Sequence, residues 1–140
     1  RSRVEALRAR IPSNVTLGVS GDAFAATGLN AGCDTWYSVI GGVFPAAALA
    51  ITRAAQAGNA QEATRLSKRL QPLWELFNES GGSLRVVAAA AELQGIAESP
   101  CLPLPLKTLD KEGRRRLASL IDELDLSCRK CRSTTVNTTG

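Results

Sequence analysis

Strand-like and helix-like patterns alternate over the first third of the chain. Apolar residues recur at helical spacing in residues 3–10, which predicts the end of an amphipathic helix stopped by Pro12. Two apolar runs, residues 15–19 and 35–40, predict strands, and the Ala-rich residues 22–31 between them predict a helix. This order of helix, strand, helix and strand is typical of a parallel α/β repeat.

The remainder of the chain has helical periodicity. The first predicted helix ends before Gly58, the second should bend at Pro72, and the third ends at Gly95. Residues 96–109 hold three prolines and predict an extended linker, and the polar, aperiodic residues 127–140 predict a disordered tail. The four predicted helix starts are marked by Pro45, Asn59, Ser83 and Asp110. We therefore predict an α/β protein that is mostly helical by residue count.

Two strands are too few for a self-sufficient sheet, because each keeps an open apolar edge. The pattern thus indicates a terminal piece of a larger α/β fold with a helical annex. We expect the open edges to pair with another copy of the chain, with a separate N-terminal half or with the rest of a longer polypeptide. A compact monomer with two bare parallel strands is not expected.

Composition and charge exclude few classes of protein. The chain has 140 residues, 44% of them hydrophobic and 21% charged, which is ordinary for a soluble globular protein. No window approaches the roughly 18 apolar residues of a membrane span, and the N-terminal RSRVEALRAR is no signal peptide. We expect a cytoplasmic protein without a membrane partner. The net charge is +4, but the basic residues are scattered and lack interleaved aromatics, which argues against nucleic-acid binding.

The four cysteines do not form a metal-binding pattern. Cys128 and Cys131 make one CxxC, but the chain has no histidine, and a structural zinc site needs four ligands. We expect no metal, no cofactor and free thiols in a reducing compartment. The absence of histidine also excludes Ser–His and Cys–His nucleophile pairs within this chain.

The stretch VTLGVSGD, residues 15–22, ends an apolar run in a polar and flexible step. In α/β proteins ligands bind at the carboxyl ends of parallel strands. The second predicted strand also runs into glycines, Gly41 and Gly42. The two strand ends together therefore predict half of an active site.

An ordered series of segments resembles the dihydrodipicolinate synthase and N-acetylneuraminate lyase family. The series covers residues 3 to about 126 and consists of VSGD, AGCDTWYSVIGGVFP, AAQAGN, EATRLSKRLQPLWELF, SLRVVAAAAELQGI and LPLPLKTLDKEGRRRLASLIDEL. The resemblance implies a (β/α)8 barrel with a C-terminal helical extension. Residues 1–57 would form the end of the barrel with its strands seven and eight, and residues 58–126 would form the extension.

The resemblance also implies a chemistry. Family members are class I lyases or aldolases that bind pyruvate or another 2-oxo acid as a Schiff base on a strand-six lysine. That lysine and the relay tyrosine of strand five would precede residue 1, so we expect this chain alone to be inactive. Its own lysines, Lys68, Lys107, Lys111 and Lys130, lie in polar or Pro-rich segments unsuited to a neutral amine. The alternative is a non-catalytic assembly module that binds a partner through the helical extension.

Four substrate-binding residues follow from the resemblance. Gly21 would let a substrate carboxylate or carbonyl approach the backbone, and Asp22 and Ala23 occupy the family's variable specificity positions. Ala23 replaces an acidic residue of the sialic-acid-cleaving branch. The carbonyl of Tyr37 would face the Schiff base, with Ser38 beside it. A tight turn at Gly21 and a core aromatic at Tyr37 are the structural alternatives.

Overall fold

The computed structural model describes residues 3–126, and most of them are helical. The elements are α1 (Arg3–Arg8), β1 (Gly18–Ser20), α2 (Ala25–Asn30), β2 (Thr35–Tyr37), α3 (Pro45–Gln56), α4 (Ala60–Arg69), α5 (Gln71–Glu79), α6 (Ser83–Leu93) and α7 (Lys111–Glu123). A 3₁₀ turn follows each strand, Asp22–Phe24 and Ile40–Gly42. The predicted mostly helical α/β class is confirmed. The predicted tail at 127–140, with Cys128 and Cys131, lies outside the described residues.

The two strands pair in parallel, as the repeat predicted. Gly18 is opposite Thr35, and Ser20 is opposite Tyr37. Helix α2 connects the strands and packs on one face of the sheet. It approaches closely at Gly28, where an added Cβ would lie 2.6 Å from the Cβ of Val19. The crossover therefore brings the carboxyl ends of both strands to the same edge.

Both strands are shorter than predicted. Before β1, the amide of Leu17 donates to the Asp34 carboxylate at 2.8 Å, so side-chain bonding replaces regular pairing there. After β2, the amides of Val39 and Ile40 donate to the Asp22 carboxylate at 3.0 Å each. The backbone therefore leaves the strand after Tyr37 and enters the 3₁₀ turn.

The chain divides after Trp74 into two compact units, called here the first unit (residues 3–74) and the second unit (residues 75–126). The first unit holds the sheet and helices α1 to α4, with Ile40, Ile51 and Ala63 fully buried. It thus extends past residue 57, and the division of barrel from extension at that residue remains a prediction. The bend predicted at Pro72 is a break, because α4 ends at Arg69 and α5 begins two residues later.

The second unit contains α6, α7 and a segment between them that is without regular structure, as predicted for residues 96–109. Val86 and Leu117 are its most deeply buried branched side chains. Asp110 caps α7 as predicted, since its carboxylate accepts from the amide of Gly113 at 2.8 Å. The predicted Ser83 cap is wrong. Gly82 occupies that position with φ +125°, a conformation that favours glycine, so α6 begins without a side-chain cap.

A buried carboxylate fastens the linker of the second unit. Glu92, with a side chain 1% exposed, accepts from the amide of Cys101 at 2.9 Å, from the hydroxyl of Ser99 at 3.1 Å and from the guanidinium of Arg114. The Cys101 amide and then Arg114 lower the pKa of Glu92 to about 2. This contact ties the linker to both α6 and α7. None of the described helices is long and apolar enough to cross a bilayer.

Candidate functional site at the carboxyl ends of the strands

Gly21 makes the turn that leaves β1. Its φ of +90° lies in a region that side chains other than glycine rarely adopt, and its carbonyl accepts from the amide of Phe24 at 3.0 Å. A Cβ at this position would lie 3.2 Å from the ring of Phe24. That ring is 67% exposed, so an aromatic surface covers the backbone beside the strand end.

Asp22 links the two strand ends. The residue is only 4% exposed, and its Oδ1 accepts from the indole Nε1 of Trp36 at 3.1 Å and from the amide of Val39 at 3.0 Å. Its Oδ2 accepts from the amide of Ile40 at 3.0 Å. Both carboxylate oxygens are therefore engaged by protein donors, and they hold the loop after β2 in place. A carboxylate directly after a strand was the available sequence signal, but the identity of its donors depends on the parallel register.

Tyr37 and Ser38 end the second strand. The Tyr37 ring lies over Gly18, where an added Cβ would be 2.4 Å from the ring atom Cε2. The tyrosine is nevertheless 64% exposed. The hydroxyl of Ser38 accepts from the amide of Gly41 at 2.9 Å and closes the turn into the glycines. Ser38 thus shapes the backbone on the carboxyl side of Tyr37.

The four predicted site residues, Gly21, Asp22, Tyr37 and Ser38, therefore lie along one edge of the sheet. Ala23 is exposed at the same edge. The described lysines lie elsewhere and are exposed: Lys68 on α4, Lys107 in the linker and Lys111 on α7. Lys130 lies outside the described residues.

Sequence reasoning missed an ionic cluster at the opposite, amino ends of the strands. Arg8 of α1 pairs with Asp34 and also donates to the carbonyl of Val15 at 3.1 Å. The amide of Leu17, and then Arg8, lower the pKa of Asp34. Burial, and then the charge of Asp34, raise the pKa of the Cys33 thiol. The cluster anchors α1 to the sheet but stands away from the candidate site.

Within residues 3–126, no group of three or more His, Cys, Asp or Glu side chains is placed to hold a metal ion. The buried carboxylate at the site uses both oxygens on the protein itself. The absence of a metal or cofactor from the protein's chemistry stays a prediction.

The model of the dihydrodipicolinate synthetase family matches residues 2–124 of the chain. The fold and the paired strand ends are those of an α/β domain with its ligand edge at the strand carboxyl ends. The chain belongs to the dihydrodipicolinate synthetase family. The comparison with curated proteins gives no match.

Solved structures of the same family resemble this one. Dihydrodipicolinate synthase from Agrobacterium tumefaciens is 42% identical, with a TM-score of 0.80 over 86% of this chain and 40% of that one. The synthase from Aquifex aeolicus is 20% identical, with a TM-score of 0.79 over 91% and 43%. A third, 24% identical with a TM-score of 0.77 over 86% and 40%, is described as the first monomeric dihydrodipicolinate synthase variant. The chain thus spans about two fifths of the length of these proteins.

Proposed function

We propose that this chain supplies strands seven and eight and the C-terminal helical extension of a (β/α)8 lyase or aldolase. The complete protein would act on pyruvate or another 2-oxo acid through a Schiff base. The lysine that forms it would lie outside this chain. The observation that carries the proposal is the family match over residues 2–124 combined with coverage of only 40% of the Agrobacterium synthase.

The strand arrangement supports a place in a barrel. Parallel strands joined by a helical crossover are the repeating unit of a (β/α)8 barrel, and the active sites of such barrels lie at the carboxyl ends of the strands. In this chain those ends carry Gly21, Asp22, Tyr37 and Ser38. They are the residues that we expect to border the substrate.

The contacts suggest distinct roles for these four residues. The turn at Gly21 leaves its backbone without a side chain, so a substrate oxygen can approach it. Asp22 would act on the site through the loop after β2, because all its described contacts are with that loop and with Trp36. Tyr37 would present its carbonyl to the Schiff base, and Ser38 would hold that carbonyl through its turn with Gly41.

The same reasoning predicts the partners of this chain. In a barrel, strand seven pairs with strand six, and strand eight pairs with strand one. We therefore propose that the outer edges of β1 and β2 pair with an N-terminal half, or in its absence with another copy of the chain. Unpaired backbone groups at a buried edge cost about 1–3 kcal/mol each, which is large beside a typical stability of about 5–15 kcal/mol.

A chimera tests the proposal. The part of the Agrobacterium synthase that precedes its aligned segment is fused to Arg1 of this chain, and the purified protein is incubated with pyruvate and borohydride. Condensation of a lysine amine with the keto group releases water, and borohydride reduces the C=N bond to a stable C–N bond. Intact mass should reveal one reduced pyruvyl group per chain.

The chain alone is the matched control. It should gain no adduct and show no pyruvate-dependent turnover, because no Schiff base forms without a buried neutral lysine. A folded chimera that gains no adduct would contradict the proposal. An adduct on a lysine of the isolated 140-residue chain would contradict the expectation that the catalytic lysine lies outside it.

A further inference from the structure

The two faces of the small sheet differ in chemistry. Val19 faces α2, where it contacts Gly28. Because side chains alternate along a strand, Gly18 and Ser20 of β1 lie on the opposite face. The register places Thr35 and Tyr37 of β2 on that same face, beside Gly18 and Ser20. We call these four residues the hydroxyl face, since its three side chains each end in, or carry, a hydroxyl group.

The hydroxyls of this face are unused by the described protein. Those of Ser20, Thr35 and Tyr37 have no hydrogen-bond partner among residues 3–126, and Ser20 and Tyr37 are exposed. Gly18 supplies the space for the tyrosine ring: its missing side chain would otherwise lie 2.4 Å from Cε2 of Tyr37 and 3.1 Å from Cγ2 of Thr35. The arrangement thus holds an unpaired phenol against the sheet beside two further hydroxyls.

Helices surround a (β/α)8 barrel on the outside, so the face opposite α2 would be interior. Barrel interiors are usually filled by bulky branched side chains such as Val, Ile and Leu. A glycine with three hydroxyl-bearing residues departs from that rule. Buried hydroxyls need hydrogen-bond partners, and an oxygen-rich anion supplies several acceptors at once.

We propose that the hydroxyl face forms one wall of the substrate pocket and that the phenol of Tyr37, aided by the Ser20 hydroxyl, donates hydrogen bonds to the carboxylate of the 2-oxo acid. This inference rests on the proposed function, and it adds side-chain contacts to the backbone role expected for Tyr37. Thr35 lies one layer deeper along the strand and completes the polar wall.

The chimera described above tests this role, with pyruvate as the probe. In Tyr37→Phe the ring remains over Gly18 and only the hydroxyl is lost. The pyruvate concentration for half-maximal borohydride trapping should then rise roughly tenfold, as expected for loss of a hydrogen bond to a charged group. Ser20→Ala should give a smaller rise in the same direction. Neither change should lower the maximal trapping rate.

Ser119→Ala is the matched control, because Ser119 is an exposed hydroxyl on α7; it should leave half-saturation unchanged. Gly18→Ala should displace the ring and raise half-saturation. If Gly18→Ala weakens pyruvate binding while Tyr37→Phe and Ser20→Ala do not, the ring serves packing alone and the inference is wrong. A chimera with the unaltered chain that forms no adduct contradicts the proposed function itself, and with it this inference. The two failures are therefore distinguishable.

Discussion

The two units of the chain each contain a buried carboxylate with three hydrogen-bond donors, but the donors differ in charge. In the first unit, Asp22 accepts from an indole N–H and two backbone amides, all uncharged. In the second unit, Glu92 accepts from an amide, a hydroxyl and the guanidinium of Arg114. A charge held by backbone amides organises the loop that donates them, whereas a charge paired with a cation fastens one element to another. The first arrangement stands at the candidate site, and the second holds a linker.

The largest effect is expected from Asp22→Ala. Three donors would lose their acceptor in a buried setting, so the free energy of unfolding should fall by roughly 3 kcal/mol. Urea unfolding of the purified chain measures the loss, and hydrogen exchange at Val39 and Ile40 locates it. Asp22→Asn keeps part of the acceptor set and should lose less. Unchanged protection of those two amides in the alanine variant would contradict the role given to Asp22.

Acid should act on the second unit through Glu92. Its pKa of about 2 in the folded protein lies below the value of 4.5 expected when exposed. The resulting stabilisation is present above pH 4.5 and is lost as the pH falls toward 2, because the unfolded chain then binds the proton more readily. Glu92→Gln should remove about 2 kcal/mol at neutral pH and flatten this part of the pH profile.

The exposed carboxylate of Glu98, in the same linker, offers the control for that measurement. Glu98→Gln should leave both the stability and its acid dependence close to those of the parent chain. Chemical unfolding at several pH values between 2 and 6 compares the variants. An acid dependence that survives in Glu92→Gln would assign the effect to other carboxylates.

Close packing of α2 on β1 belongs to the first unit alone. Gly28→Ala introduces a Cβ that would lie 2.6 Å from the side chain of Val19, so the helix must shift. Overpacking of this kind costs about 1–3 kcal/mol. Gly42→Ala is the control, because a Cβ there meets no atom within 4 Å. Equal unfolding midpoints for the two variants would show that α2 moves freely.

Helix caps should affect the two units alike and by the smallest amounts. Asn59 accepts from the amide of Glu62 in the first unit, and Asp110 accepts from the amide of Gly113 in the second. Replacing either residue by alanine should cost about 1 kcal/mol. Ser83→Ala should have little effect, because Gly82 holds the cap position and Ser83 makes no cap bond. Thermal unfolding of the three variants would rank them, and a Ser83→Ala loss equal to the others would contradict the assignment.

Local chemistry in the sequence was sufficient to predict several features. The helix starts at Asn59 and Asp110 follow from a side chain that can accept an amide hydrogen bond three residues later. The parallel pairing of β1 with β2 follows from two apolar runs separated by a helical crossover. The family was also recognisable from an ordered series of segments, and the match over residues 2–124 confirms it.

Only the tertiary structure decided what the site residues touch. Asp22 follows a strand in the sequence, but its three donors come from residues 36 to 40, and a pattern of apolar positions does not contain that register. The same register brings Tyr37 over Gly18 and gathers three hydroxyls on one face. Capping and periodicity act over one or two turns of backbone, so sequence determines them directly. Contacts across strands depend on how α2 packs on β1, and that packing is a property of the folded chain.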